Sequence, residues 1–434
     1  MKKIKRRATA VLVLVALLFA GLAVFVVRLW QDGRDWAMFR GNAEIYTNGV
    51  LNAGIITDRN GVVLARAGDG VFAYADDQTT RMSCLHAVGD YSGNIGTGAL
   101  TALSDRLVRY SFVSGVSAKE RTLPLTIDAE LNNTAYRALW GRAGAVLVCN
   151  YKTGEILCMV SSPTYDPNIG PDPSQDGVYL NRTISAAYTP GSVFKLVTLT
   201  AALENIPDLD TRTFHCSGSV QVMGDTVKCT GVHGDQTIEQ ALAHSCNCAF
   251  AEISLELGPD TLANYAGQLG LTGAHSLDGI ATQAGKFEKA EPGTSLMAWS
   301  GIGQYTDLVC PYSMLRLVSA IANGGQLMEP TLVGHKRWDS ARQLLDQDTA
   351  ERIRSMMDYN VQYAYGSGSF PGLSICAKTG TAETGDGASH GWFVGFLNDE
   401  KHPYAFVVVI EHGGGGLSAA GPVANAVLQA AVSK

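Results

Sequence analysis

The stretch Tyr188-Thr189-Pro190-Gly191-Ser192-Val193-Phe194-Lys195 decides how this chain is read. Pro190 and Gly191 end whatever precedes them. From Ser192 to Glu204 no breaker occurs and nearly every position is apolar, which predicts a helix buried in a large core. Ser192 and Lys195 stand at i and i+3, so both side chains leave one face a turn apart. A serine hydroxyl is a weak nucleophile until a base takes its proton, and a desolvated lysine with a lowered pKa can be that base. The spacing alone is weak, because about one Ser-x-x-Lys is expected by chance in a chain of this composition. The bland alternative is a solvated lysine on a helix. Its place at the positive end of a buried apolar helix counts against that alternative.

Two further elements give the pair a context. In Ser245-Cys246-Asn247 a second hydroxyl can relay a proton and an amide can hold a substrate's backbone. Lys378-Thr379-Gly380-Thr381 lies on a β-rich run, and such a strand edge offers a cation, hydroxyls and open backbone to an extended peptide and its carboxylate. Each short pattern has a decoy, Ser92-Gly93-Asn94 for the second and Lys152-Thr153-Gly154 for the third, but both decoys precede Ser192. Only Ser192, Ser245 and Lys378 fall in one order.

Around the motifs the chain reads as helix and sheet. Asp128 is a candidate N-cap for a helix over Ala129 to Trp140, and Gly144 to Ser162 is two apolar runs joined by Tyr151-Lys152-Thr153-Gly154, a hairpin. Three more strand-like runs, Leu373 to Glu383, Trp392 to Leu397 and Tyr404 to His412, precede a closing Ala/Val helix. Two strands before the central helical section and three after it predict one antiparallel sheet assembled from both ends of a domain. Upstream, Ile55 to Ala65 reads as strand, turn, strand, because Asn60-Gly61 supplies the positive φ of a tight turn. Arg81 to Ser111, rich in Gly and Ser, shows no period from which a fold follows.

The ordered set resembles that of penicillin-binding proteins and serine β-lactamases, which use Ser-x-x-Lys, Ser-x-Asn and Lys-Thr-Gly in this order. The wider text resembles class B penicillin-binding proteins, nearest to the small elongation- or division-associated members. It includes Asp58-Arg59-Asn60-Gly61, the hairpin ending in Ser162-Pro163-Thr164-Tyr165-Asp166-Pro167-Asn168, Asn181-Arg182, and Trp392-Phe393-Val394-Gly395-Phe396. That resemblance implies an α+β fold in four parts. A cytoplasmic basic tail (1–7) and a transmembrane signal-anchor (8–30) are followed by a small mixed, non-catalytic N-terminal module (31–124). The last part (125–434) is a penicillin-binding transpeptidase or serine β-lactamase-like domain, a five-stranded antiparallel sheet with helices on both faces. The implied activity is peptidoglycan D,D-transpeptidation through an acyl-serine. Ser192 is the implied nucleophile, Lys195 its base, Ser245 the proton relay, and Asn247 a partner of the substrate amide and of Lys195. Lys378 sets the positive potential, with Thr379, Gly380 and Thr381 along the substrate. The backbone N–H groups of Ser192 and Thr381 form the oxyanion hole. Implied partners are stem peptides on lipid-linked nascent glycan, with β-lactams as inhibitors. The first region is too short for a glycan-polymerising domain, so a separate membrane-embedded polymerase is also implied. Rival readings are a D-alanyl-D-alanine carboxypeptidase or β-lactamase, which differ in the acyl acceptor, and a non-enzymatic β-lactam sensor or wall scaffold.

Composition agrees. Lys+Arg number 33 against Asp+Glu 40, a net charge of −7, and six of the basic residues lie among the first 30, which hold no acid. The remainder is more acidic still, which excludes a nucleic-acid partner. The basic start precedes Ala8 to Val27, whose only polar member is Thr9, long enough for a bilayer core of about 30 Å. The apolar run exceeds the usual secretory h-region and lacks a small-x-small end, so a retained anchor with the body outside is expected, the N-terminus being cytoplasmic.

Nine cysteines in an exported chain leave an odd thiol. Cys216 and Cys229 flank a hairpin-like segment and are a candidate disulfide. Cys246, beside His244 and Cys248, invites a metal reading. No metal is assigned, because no second ligand pair has zinc-finger spacing and adjacent helical positions face apart. His390 and His412 read as structural or substrate-side residues. Gly413 to Gly416 is a sheet-end loop, no nucleotide site is present, and the chemistry needs no cofactor.

Overall fold

Five strands form the antiparallel sheet on which the molecule is built: β1 (Gly144–Asn150), β2 (Ile156–Ser162), β3 (Ile375–Ala382), β4 (His390–Leu397) and β5 (Tyr404–Ile410), in the order β2-β1-β5-β4-β3. Two strands come from one end of the domain and three from the other, as expected. The computed structural model describes residues 2–433, apart from residues 40, 44, 48, 49, 53, 69, 70, 118–120, 173, 335–340 and 386. Alternation along each strand sends side chains to two different cores. Val146, Val148, Cys158, Val160 and Val408 meet the helices Ala129–Leu139 and Gly421–Val432 on one face. Leu147, Cys149, Met159, Val407 and Val409 meet the helix Pro311–Ala322 on the other. With both faces covered, nearly every position of β1 and β2 is buried, which is why these strands read as continuous apolar runs. Burying each such aliphatic side chain contributes about 1.5–3 kcal/mol.

The N-terminal helix Lys2–Ala37 is long and apolar enough to cross a membrane. Beyond it, Val71–Tyr74, Val63–Gly68, Gly54–Thr57 and Thr122–Pro124 form a sheet in that order, the last pair parallel. The expected turn joins Gly54–Thr57 to Val63–Gly68, with Gly61 at φ +84°. Buried Asp58 accepts the backbone N–H groups of Asn60 and Val62, both at 2.8 Å, and of Ala129 at 3.1 Å. One carboxylate thus closes the turn and ties it to the start of the helix Ala129–Leu139, which Asp128 caps through Leu131 N–H at 2.9 Å.

The segment without sequence period contains a helix, Gln78–Val88, capped by Asp77. It buries Thr80, Ser83 and His86 alongside Cys84, Leu85, Ala87 and Val88, a mixed set that gives no clean hydrophobic period. Ser83 donates to Asn133 at 2.6 Å, and Arg81 pairs with both oxygens of Asp166 at 2.8 and 2.7 Å. The expected hairpin between Cys216 and Cys229 is present as Ser219–Val222 against Asp225–Lys228. A second small pairing, Phe214–Cys216 with Gly234–Gln236, lies at its base. Together they form an arm over the next helical section.

Candidate active site

The run that opens at Ser192 begins as a 3-10 turn, Gly191–Phe194, and becomes α-helical only at Lys195–Asn205. The cause is close packing. Gly191 sits at φ +54°, and a Cβ there would lie 2.6 Å from the carbonyl oxygen of Thr381 on β3. Its N–H donates to Gly303 O at 2.8 Å. Gly380 is pinned the same way, a Cβ falling 2.8 Å from Pro190 O. These two glycines let the serine turn lie directly on the strand edge. In a 3-10 turn residues i and i+3 eclipse, so Ser192 stands over Lys195. Ser192 is half-buried in the cleft wall, whereas Lys195 is fully buried beneath it.

Lys195 Nζ donates to Ser245 O at 2.6 Å, Asn247 Oδ1 at 2.8 Å and Ser245 Oγ at 3.3 Å. Lys378, on β3 and also fully buried, donates to the same Ser245 Oγ at 2.9 Å and to Thr379 O at 2.9 Å. Ser245 reaches this position at φ +54°, a strained conformation for a residue with a Cβ. Asn247 is fixed from its other side by Nδ2 donating to Lys228 O at 2.9 Å. Burial pulls the Lys195 amine down to about 7, and burial together with the charge of Lys195 holds Lys378 well below the usual lysine range. The arrangement can therefore supply a neutral amine near neutral pH, a hydroxyl wired to two lysines, and a nucleophile above them.

The sequence-selected residues converge, since Ser192, Ser245, Asn247, Thr379 and Thr381 line one open cleft of about 810 Å³ with both lysines under its floor. Thr381 Oγ1 accepts Gly416 N–H at 3.3 Å. Tyr365 and the Glu411 network were not found by sequence reasoning. Tyr365 Oη accepts Thr379 N–H at 3.1 Å, steadying the strand edge. Glu411 Oε1 accepts from Arg182 Nε at 2.8 Å and Tyr188 Oη at 2.6 Å, bracing the serine turn against the end of β5. Asn181-Arg182 stood out in the text, but nothing local links it to position 411. His390 and His412 pack on each other, ring centroids 4.9 Å apart.

The cysteines require a correction. No disulfide joins any of the nine, so Cys216 and Cys229 do not form a private pair. Their sulfurs lie with those of Cys246 and Cys248 in one group, all within 4.8 Å of one another. The missing second pair of sulfurs is supplied by the arm. Cys246, moreover, is the extended N-cap of the helix Asn247–Gln268 (φ −64°, ψ 114°), so it does not face away from Cys248 as two helical residues would.

Comparison with known proteins places this geometry. Residues 144–429 match the model of the penicillin binding protein transpeptidase domain. The peptidoglycan D,D-transpeptidase PbpA of Mycolicibacterium smegmatis is 26% identical over 508 aligned positions, covering 99% of this chain and 98% of that protein. The PbpA of Mycobacterium tuberculosis is 28% identical over 369 positions, covering 74% of each chain. Among solved structures, the D,D-transpeptidase domain of a peptidoglycan glycosyltransferase from Eggerthella lenta superposes with a TM-score of 0.74 at 28% identity, over 88% of this chain and 98% of that one. Penicillin-binding protein A of M. tuberculosis, solved as a ceftriaxone acyl-enzyme, shares the fold with a TM-score of 0.75 at 23% identity, over 88% of this chain and 98% of that one. The chain belongs to the penicillin-binding protein transpeptidase family, and its organisation fits the class B members.

Proposed function

We propose that this protein is a membrane-anchored peptidoglycan D,D-transpeptidase that works through an acyl-serine. The observation that carries the reading is the pair of fully buried lysines sharing the Ser245 hydroxyl under Ser192. Burying two amines is costly, and a fold retains such a pair where a neutral amine and a directed proton path are used. Ser192 Oγ attacks the carbonyl carbon between the last two D-alanines of a stem peptide, and its proton passes to neutral Lys195. The oxyanion is held by the N–H groups of Ser192 and Thr381. The C–N bond then breaks, Ser245 passes a proton to the departing D-alanine nitrogen, and the acyl group stays on Ser192. An amine of a neighbouring stem peptide attacks this ester, Ser192 recovers its proton, and a peptide cross-link is left. Asn247 holds Lys195 and the substrate amide, while Thr379, Gly380 and Thr381 receive the extended peptide and its carboxylate.

The names of the relatives support the reaction. The apolar helix and its basic start support an anchor at 8–30 with a cytoplasmic tail (1–7), leaving the module (31–124) and the transpeptidase domain (125–434) outside. A separate membrane polymerase supplying the lipid-linked glycan completes the reading.

The test is a fluorescent penicillin incubated with the detergent-purified full chain and with Ser192→Ala, followed by intact mass over hours. A stoichiometric, long-lived adduct that the variant lacks is expected. Rapid release of penicilloic acid would mark a β-lactamase, and absence of an adduct would mark a degenerate site. Stem-peptide substrates with a D-amino acid acceptor then separate cross-linking from simple hydrolysis.

A further inference from the structure

We propose that Cys216, Cys229, Cys246 and Cys248 hold one zinc ion as four thiolates, stapling the arm to the start of the helix that carries the Ser245-Cys246-Asn247 motif. The four sulfurs lie within 4.8 Å of one another, three of the residues are buried and Cys229 is half-buried. Cys229 Sγ and Cys246 Sγ are 3.8 Å apart. A tetrahedron with Zn–S bonds of about 2.3 Å has edges of roughly 3.8 Å, whereas a disulfide brings two sulfurs to about 2.05 Å. The Cys229–Cys246 separation matches such an edge, and the other sulfurs lie close enough to share the same centre.

The chain supplies the four ligands in two pairs. Cys216 ends the strand Phe214–Cys216, and Cys229 directly follows Asp225–Lys228, its N–H closing on Gly218 O at 2.9 Å. Cys246 and Cys248 flank the first residue of their helix. Because Cys246 caps that helix in an extended conformation, the i and i+2 sulfurs converge. Asn247 N–H points at Cys229 Sγ at 3.2 Å, the kind of donor that steadies a thiolate on a metal.

The arm also needs a staple. It consists of two two-stranded pairings, and such ribbons are marginal in water by themselves. Phe214, Val222 and Val227 are buried beneath it, whereas Met223 at its tip and Val232 near its base stay exposed. A metal would add to that apolar contact a cross-link between the arm and the helix start. Cys246 lies between Ser245 and Asn247, so the ion would fix both flanking residues against Lys195. This last consequence rests on the proposed transpeptidase reading, whereas metal binding itself does not.

The test uses the full chain purified in detergent without chelators. Elemental analysis should find one zinc per chain, and Cys229→Ser and Cys216→Ser should each lose it. Anaerobic exchange with cobalt(II) should give the intense visible bands of tetrahedral cobalt with sulfur-to-cobalt charge transfer. Should a variant fail to fold, chelator treatment of the wild type remains. It should lower the thermal midpoint, and added zinc should restore it. A metal-free protein with four titratable thiols in this group overturns the proposal. So does a mass lower by two or four hydrogens, which marks disulfides, and so does zinc that persists in Cys229→Ser. Zinc content and unfolding need no turnover. Zinc bound with no penicillin adduct defeats only the functional reading, and an adduct on a zinc-free protein defeats only this one.

Discussion

The two walls of the cleft are built on different physics. One is the edge of β3, whose Lys378-Thr379-Gly380-Thr381 is the outer strand of a sheet packed with apolar side chains on both faces. The other is Ser245 to Asn247, a strained turn and a helix start held by hydrogen bonds, a neighbouring arm and a group of sulfurs. A wall set by apolar packing tolerates changes in solvent and redox conditions but is sensitive to lost volume. A wall set by polar and sulfur contacts behaves the other way round.

Core substitution should give the largest effect and should fall on the first wall. Leu147→Ala on β1 removes a fully buried side chain, and urea unfolding should show a loss of about 2–5 kcal/mol, with the acylation rate of the folded fraction nearly unchanged. A matching loss of acylation would mean that the sheet's core also sets the geometry of the β3 edge in the cleft.

Gly191→Ala strikes the seam between them. Its Cβ would meet Thr381 O at 2.6 Å with φ at +54°, so backbone must shift on one side or the other. We expect about 1–3 kcal/mol of destabilisation, with a fall in penicillin acylation that exceeds the change in stability. Equal effects would mean that the seam serves stability alone.

The mildest probe is pH. In the proposed mechanism acylation needs Lys195 neutral, and burial lowers its pKa to about 7. The rate constant should therefore level off above that value and fall roughly tenfold per pH unit below it, as the amine gains the proton it must otherwise accept from Ser192. Rates followed by stopped-flow fluorescence check this, and a flat profile down to acid pH would remove Lys195 as the base.

The walls also differ in how far they could be read in advance. The five strands and Lys378-Thr379-Gly380-Thr381 were legible because alternation and apolar runs are properties of neighbouring residues. Ser192 and Lys195 were legible for the same reason, although the 3-10 start of their helix was not, since it follows from the approach of Thr381. Tyr365 and Glu411 carried no local mark, because their partners lie on other elements. The grouping of the four cysteine sulfurs was not legible, because helical facing does not apply to an extended cap residue and the other two sulfurs come from the arm.

The sequence by itself determined the set of motif residues, their order along the chain and the sheet that would carry one of them. Each of these depends on spacing over a few residues, which backbone geometry translates directly into faces and turns. Only the tertiary structure decided that one hydroxyl, Ser245, would receive hydrogen bonds from two buried lysines, and that sulfurs from an arm and a helix cap would meet behind it. Those meetings join segments distant in the chain, and they form only where the packing of the whole domain brings their elements together.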